Sequence, residues 1–246
     1  MDRMLYVAMS GAKQTMLAQT ANSNNLANAT TNGFRADLAA FRSQPVFGPG
    51  EPTRVYAMAE RPGVDLTAGV INSTGRDLDV AIKGDGWIAV QAADGSEAYT
   101  RAGNLNLGEG GLLVTGGGVP VMGNGGPIAL PDAEKIEIGT DGTISIRGIG
   151  QAVSTLTTLD RIKLVKPDAA QLVKGADGLM HLKNGAQAEP DASVNLVSGA
   201  LEASNVNAVE AMVNMIALAR QYEAQVKMMS AAKDADDQST QLLSLS

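Results

Sequence analysis

The sequence predicts an α+β protein. Coiled-coil-like helices at its N- and C-termini are brought together, and a central antiparallel β-rich domain separates them along the chain. Three observations carry this reading. Seam positions of a first helix recur at Leu5, Met9, Ala12, Met16, Gln19, Ser23 and Leu26. Those of a second recur at Ala208, Met212, Met215, Ala219, Tyr222, Val226 and Met229. Both series step by alternating threes and fours, the 3.5-residue spacing of a coiled-coil seam. Between them lie short β-like runs and most of the 28 glycines. A chain that keeps its long helices for its ends is built to associate with other chains.

The first element, a helix from Asp2 to about Ala29, has Asp2 as its expected N-cap. Asn22, Asn24, Asn25 and Asn28 crowd its last two turns, where they are weak helix formers. Two readings stand for them. They fix register and partner geometry in a helix interface, or the helix end frays. Thr30-Thr31-Asn32-Gly33 reads as a stop, with Gly33 left-handed and Phe34 packing back on the last turn. This N-terminal segment spans 1–35.

Residues 36–70 carry four of the nine prolines and no clear period, which predicts an extended connector. A strand-like segment at 67–72 closes it.

The β-rich segment spans 71–198. Leu78–Ile82 alternates, Gly84-Asp85-Gly86 supplies a turn, and Trp87–Val90 is the expected return strand. Further strands are expected at 98–101, 112–115, 119–122, 128–130, 136–138, 143–146, 162–165, 178–182 and 194–197. Asp141-Gly142 is a strong hairpin signal. Short strands with frequent turns predict a barrel or sandwich-like domain.

The C-terminal segment spans 199–246. Its helix is expected to run from Asn205 to about Asp236, capped by Ser204 or Asn205. Glu210 sits in the first turns, where it suits the helix dipole. Val209 and Ile216 widen the apolar stripe beyond a strict seam. Met212, Met215, Met228 and Met229 form a methionine-rich face. It reads either as packing within the monomer or as an adaptable surface for partners.

Composition narrows the function. The formal charge is −7 with no basic cluster, which argues against nucleic acid and against a polybasic membrane anchor. No run approaches a membrane-spanning length, so no membrane insertion is expected. Cysteine is absent, which rules out disulfides and thiolate metal sites, and His181 is the single histidine. No metal site and no cofactor is expected. Aromatics make up only 3% of the chain, so the core must rest on aliphatic side chains. The opening residues lack the architecture of a cleaved signal, because Lys13 and Gln14 continue the helical pattern.

Candidate chemistry is thin. Asp77, Asp79 and Asp85 surround Gly84 and Gly86 but lack the spacing and terminal Glu of a calcium loop, so they read as turn residues. The glycine clusters at 116–118 and 123–126 do not join a strand to a helix, as a phosphate cradle would. His181 has no nucleophile motif nearby. No catalytic residue is assigned.

Ala21-Asn22-Ser23-Asn24-Asn25-Leu26-Ala27-Asn28, followed by Thr30-Thr31-Asn32-Gly33-Phe34-Arg35, resembles the N-terminal signature of the bacterial flagellar rod and hook proteins. Gly199–Asn207 resembles that family's C-terminal motif, as do Glu210, Met212, Met215, Ile216, Arg220, Tyr222 and Glu223. Thr74–Trp87 and Tyr99–Gly103 resemble its central segment. The opening Met1–Ala12 most resembles the proximal-rod branch of this flagellar basal-body rod protein family. The distal-rod and hook-type axial proteins are the alternatives.

The resemblance implies a structural subunit, no enzymatic activity and no cofactor. It implies export by the flagellar export apparatus without signal cleavage, and assembly in the periplasmic basal-body rod with other rod proteins and with copies of itself. It also implies that both terminal helices lie in the rod's inner layer. The interface is then expected to use Leu5, Met9, Met16, Asn22, Asn25, Leu26, Asn28, Gly33 and Phe34. From the C-terminus it would use Asn205, Val209, Met212, Met215, Ile216, Tyr222, Val226 and Met229. A rival from another class, a glycan-active β enzyme, would need two carboxyls roughly 5–9.5 Å apart in a cleft. Nothing in the sequence points to such a pair.

Overall fold

The computed structural model describes residues 4–45, 55–150 and 156–244. The expected cap at Asp2, and Pro49 and Pro52 of the connector, lie outside the described residues. The chain divides into two compact units. Unit 1 comprises residues 1–29, 37–64 and 206–246, and unit 2 comprises 30–36 and 65–205.

Unit 1 holds helix α1 (Met4–Ala27), strands β1 (Asp37–Pro45) and β2 (Val55–Val64), and helix α2 (Ala208–Ser244). The two helices pack against each other, and α1 also packs along the two strands. Helix α2 starts later and runs further than the sequence suggests. Its cap is Asn207, whose Oδ1 accepts from Val209 N at 3.0 Å and Glu210 N at 3.3 Å. Ser204 and Asn205 precede the helix. An Asn two residues before the first apolar turn carries the same signal as they do, so pattern alone could not choose among them.

The stretch read as an extended connector is an antiparallel hairpin, from Asp37 opposite Val64 to Pro45 opposite Val55. Its register slips between Leu38 and Ala40, which leaves Pro62 at a bulge, a place where a missing N–H costs no ladder bond. The pattern hid this because β1 is exposed along both faces after Asp37. Without a buried face, nothing selects alternation.

Unit 2 is β-rich. In chain order its strands are β3 (Ile71–Ser73), β4 (Val80–Lys83), β5 (Trp87–Gln91), β6 (Glu97–Thr100), β7 (Leu105–Leu107), β8 (Leu113–Thr115) and β9 (Ala133–Ile138). There follow β10 (Thr143–Gly148), β11 (Thr157–Arg161), β12 (Leu164–Val165), β13 (Leu172–Lys174), β14 (Met180–Leu182), β15 (Asn195–Ser198) and β16 (Ala200–Glu202). One five-stranded sheet has the order β12-β5-β6-β14-β13, and a three-stranded sheet has the order β11-β10-β9. The pairs β15-β4, β16-β3 and β7-β8 complete the set.

The Asp141-Gly142 hairpin forms as the sequence predicts. Ile144 lies opposite Ile138, Gly142 has φ +85°, and Asp141 accepts from the Thr143 amide and hydroxyl. The expected β4–β5 hairpin does not form. β4 pairs with β15, and β5 pairs with β6 and β12. The reason lies in the turn. Gly84 and Gly86 both have positive φ, and a Cβ on Gly86 would sit 2.6 Å from Val194 Cγ1. The glycines hand the chain from one sheet to the next instead of folding it back.

The core is almost wholly aliphatic, as the composition requires. Val80, Ile82, Ile88, Val90, Leu105, Leu113, Val121, Ile128, Ile144 and Leu196 form one buried cluster. Each such side chain contributes roughly 1.5–3 kcal/mol on burial. Beside it, Tyr99 is fully buried, and its hydroxyl accepts from Ala188 N at 2.8 Å.

Two predictions come from these elements. Asn207→Ala should cost the helix about 1 kcal/mol. Chemical denaturation followed by far-ultraviolet circular dichroism reads it, and an unchanged midpoint would place the cap elsewhere. The second concerns alkaline pH. Burial raises the Tyr99 phenol from 10.0 to about 12, so the folded state holds the proton that an unfolded chain releases. This stabilisation is complete below pH 10 and is lost as pH climbs towards about 12. Thermal melts between pH 9 and 12 should show the fall, and Tyr99→Phe should remove that component of it.

Candidate assembly surface

The two helices of unit 1 meet through small residues. Ala8, Ala12, Thr15, Ala18 and Ala21 of α1 are buried, as are Ala211 and Ala232 of α2. Thr15 turns its hydroxyl onto Gly11 O at 2.9 Å, so it adds no unpaired polar group. A Cβ on Gly11 would lie 2.9 Å from the Gln225 side chain. Asn22 Nδ2 donates to Ala211 O at 2.7 Å. These two contacts set an antiparallel register, with the end of α1 beside the start of α2.

On α2 the covered stripe is Ala208, Ala211, Met215, Leu218, Ala219, Tyr222, Gln225, Met229 and Ala232. It includes Ala208, Met215, Ala219, Tyr222 and Met229 of the seam read from sequence, whereas Met212 and Val226 of that seam are exposed and Ala211 and Gln225 are covered beside them. The large apolar residues largely face away. Met9 is 54% exposed, Met16 55%, Met212 53% and Val209 71%, with Leu5, Leu17, Val213, Ile216 and Val226 also exposed. Leu26 is half-buried. At about 100° per residue, Leu5, Met9 and Met16 fall on one side of α1, turned from its alanine face. A pattern reading gives the seam to the largest hydrophobes. Close approach of two backbones instead demands the smallest.

At the other end of the helix pair, Leu5, Tyr6, Val226, Met229, Ala232 and neighbouring residues line a groove of about 490 Å³.

The asparagines of the N-terminal signature have individual partners. Asn25 pairs with the backbone of Asp37 in both directions, donating to its carbonyl at 2.9 Å and accepting from its amide at 2.8 Å. It fixes the start of the hairpin within unit 1. Asn22 joins the helices, and Asn28 donates to Asn24 O in the last turn. Neither expectation, register device or frayed end, describes all of them.

In unit 2, Asn205 accepts from Ala36 N at 2.8 Å and donates to Asp65 O and Thr67 O. Gly33 has φ +69°, but α1 has already ended at Ala27, so Gly33 does not cap it. A Cβ there would meet the Arg101 backbone at 2.2 Å, so close approach demands glycine. Lys174 Nζ lies 3.9 Å from the centroid of the Phe34 ring.

Sequence reasoning gave no role to the most connected residue of unit 2. Glu202 is 1% exposed. Its carboxylate accepts from Arg35 Nη2 at 2.6 Å, Arg101 Nη1 at 2.9 Å and Gly69 N at 2.8 Å, and its carbonyl accepts from Gly33 N at 2.8 Å. The Trp87 ring lies 5.9 Å from Arg35 and 5.4 Å from Arg101, within cation–π range of both. Burial draws Arg101 below the ordinary arginine value, while Glu202 opposes that shift. The available signal was the presence of charged residues inside otherwise small and apolar motifs.

Two of the carboxylates weighed earlier, Asp79 and Asp85, have ordinary partners. Asp79 is buried and accepts from the Thr74 hydroxyl at 2.7 Å, and Asp85 pairs with Lys166 at 3.3 Å. His181 is paired with Asp177 at 3.0 Å. Among the described residues, no group of three or more His, Asp or Glu is arranged to hold a metal ion.

Two family models match the chain. Residues 197–242 match the flagellar basal body rod FlgEFG protein C-terminal model, and residues 81–146 match the flagellar hook protein FlgE/F/G D1 domain. The chain is 46% identical to the flagellar basal-body rod protein FlgF of Salmonella typhimurium over 252 aligned positions, covering all of both proteins. It is equally identical to FlgF of Escherichia coli, with the same coverage. Against the flagellar basal-body rod protein FlgG of Bacillus subtilis the identity is 31%, covering 95% of this chain and 96% of that protein. The higher identity lies with these two FlgF proteins, in agreement with the wording of the first helix. The chain belongs to the flagellar basal-body rod protein family and is FlgF-like within it.

Proposed function

We propose that this chain is a structural subunit of the proximal flagellar rod, transmitting torque through an axial assembly built from its terminal helices. One observation supports this above all. Small side chains close α1 onto α2, while large apolar side chains on both helices remain exposed. A monomer gains nothing from such an arrangement. A subunit that buries those faces against neighbours gains roughly 1.5–3 kcal/mol per large side chain.

The exposed residues form two different patches. Val209, Met212, Val213 and Ile216 occupy the first turns of α2, and Leu5, Tyr6, Met9 and Val226 lie towards the opposite end of the pair. Unlike patches that join head to tail give open helical assemblies instead of closed dimers. Copies of this chain and related rod proteins are the partners of this reading, with coiled-coil-like packing of α1 against α2 extended across subunits. Residues 71–198 form the separate β-rich body. The subunit works in the periplasmic basal body and reaches it through the flagellar export apparatus with its N-terminus intact. Among the described residues, no helix is long and apolar enough to cross a membrane, which suits a subunit delivered by that route.

Met212→Asp and Val226→Asp test the two patches separately. Each should place an unpaired carboxylate in a dry contact, at a cost of several kcal/mol. The expected result is exported protein, no completed rod and non-motile cells, with the Trp87 unfolding signal of unit 2 unmoved. Normal assembly of both variants would defeat the reading.

Mass spectrometry of the subunit from purified basal bodies should find Met1–Ala12 present. Loss of that segment would mean export by a conventional cleaved signal.

A further inference from the structure

Unit 2 contains a thin layer made of three chain segments, 33–36, 65–73 and 199–205. Its backbone bonds run mostly among its own members. Gly33 N donates to Glu202 O, Asp65 N to Ala36 O, Ala203 N to Val70 O and Asn205 N to Phe34 O. β3 and β16 pair only with each other, and β3 is exposed throughout. So short a two-stranded ribbon is marginal by itself. Yet all four points at which the backbone enters or leaves unit 2 lie in or beside this layer, at Thr30, Ala36, Asp65 and Asn205.

Gly199 N donates to Asp79 O at 2.7 Å and Lys174 Nζ to Arg35 O at 2.8 Å, and the buried charged tie of the layer to the β body is Glu202. Its carboxylate takes Arg35 and Gly69 from the layer, and Arg101 from the end of β6 in the five-stranded sheet. Arg101 in turn donates to Gly84 O at 2.8 Å, and the Trp87 ring at the start of β5 lies against both guanidiniums. Arg35 Nε and Nη1 and Arg101 Nε have no acceptor among the described residues, so the compensation of this pair rests chiefly on Glu202. Two guanidiniums buried without their carboxylate would be strongly unfavourable. Loss of the Glu202 carboxylate therefore weighs heavily against docking of the layer.

We propose that Glu202, through Arg35 and Arg101, is a lock that makes this layer open and close together with the β core, so that every chain connection leaving unit 2 is as stable as the core itself. The lock is conformational and stands apart from any contact between subunits.

Native-state hydrogen exchange on the full chain tests it. The reporters are the amides of Gly33 and Ala203, whose acceptors are backbone carbonyls that no side-chain change removes. The reference is Ala89 N, bonded to Lys163 O within the core. In the native chain, reporters and reference should exchange within about tenfold of one another. Arg101→Met leaves the Arg35–Glu202 pair neutral and cuts its charged tie to the body. It should speed exchange at Gly33 and Ala203 by at least about a hundredfold while Ala89 holds its rate. Glu202→Gln should do the same and also shift the Trp87 emission. If that variant does not fold, the native chain and Arg101→Met still decide. Reporters that already exchange about a hundredfold faster than Ala89 in the native chain, or that do not respond to Arg101→Met, would overturn the proposal.

Discussion

One carboxylate between two buried guanidiniums is the constraint on which unit 2 depends. Glu202 carries one negative charge against the positive charges of Arg35 and Arg101, all three almost free of solvent. Such a cluster is a poor source of net stability compared with apolar packing, but it is intolerant of misplacement. It has one satisfactory geometry, and that geometry requires residues from three distant parts of the chain to arrive together. The three segments that carry the family's sequence signatures meet in this one place.

Unit 1 rests on a different economy. Its helices are marginal alone, and their most deeply buried residues are alanine, glycine and threonine. Small residues bring backbones close but bury little area. The larger apolar side chains remain outside, concentrated near opposite ends of the pair. A protein that was finished as a monomer would have the reverse arrangement, with methionine and leucine within and polar residues without. The placement of bulk is the physical basis for reading these helices as parts of a larger assembly.

The β body needs neither device for its core. Valine, isoleucine and leucine fill it, with Tyr99 as its one fully buried aromatic residue. Trp87, the single tryptophan, is placed where the aliphatic core meets the charged cluster, and its ring face serves both. Scarce aromatics are thus used at a boundary, where an aromatic face can do what an aliphatic side chain cannot.

The sequence by itself determined the α+β class, the positions of both helices save the last two turns of α2, most strands of the body and the family. These follow from local causes: hydrophobic period, turn chemistry and motif wording. It did not determine the β1–β2 hairpin, because a ribbon exposed on both faces leaves no alternation to read. It did not determine the partner of β4, because a turn of two glycines permits both a fold-back and a crossing between sheets, and only the packing of Val194 against Gly86 decides between them. It set the stripe of α1 largely one position aside and missed that of α2 at Met212 and Val226, since period identifies candidate faces while closeness of approach selects the one that is buried. Above all it left Glu202, Arg35 and Arg101 unassigned. Charges separated by 101 and 167 residues have no local signature, and only the folded chain brings them within hydrogen-bonding distance.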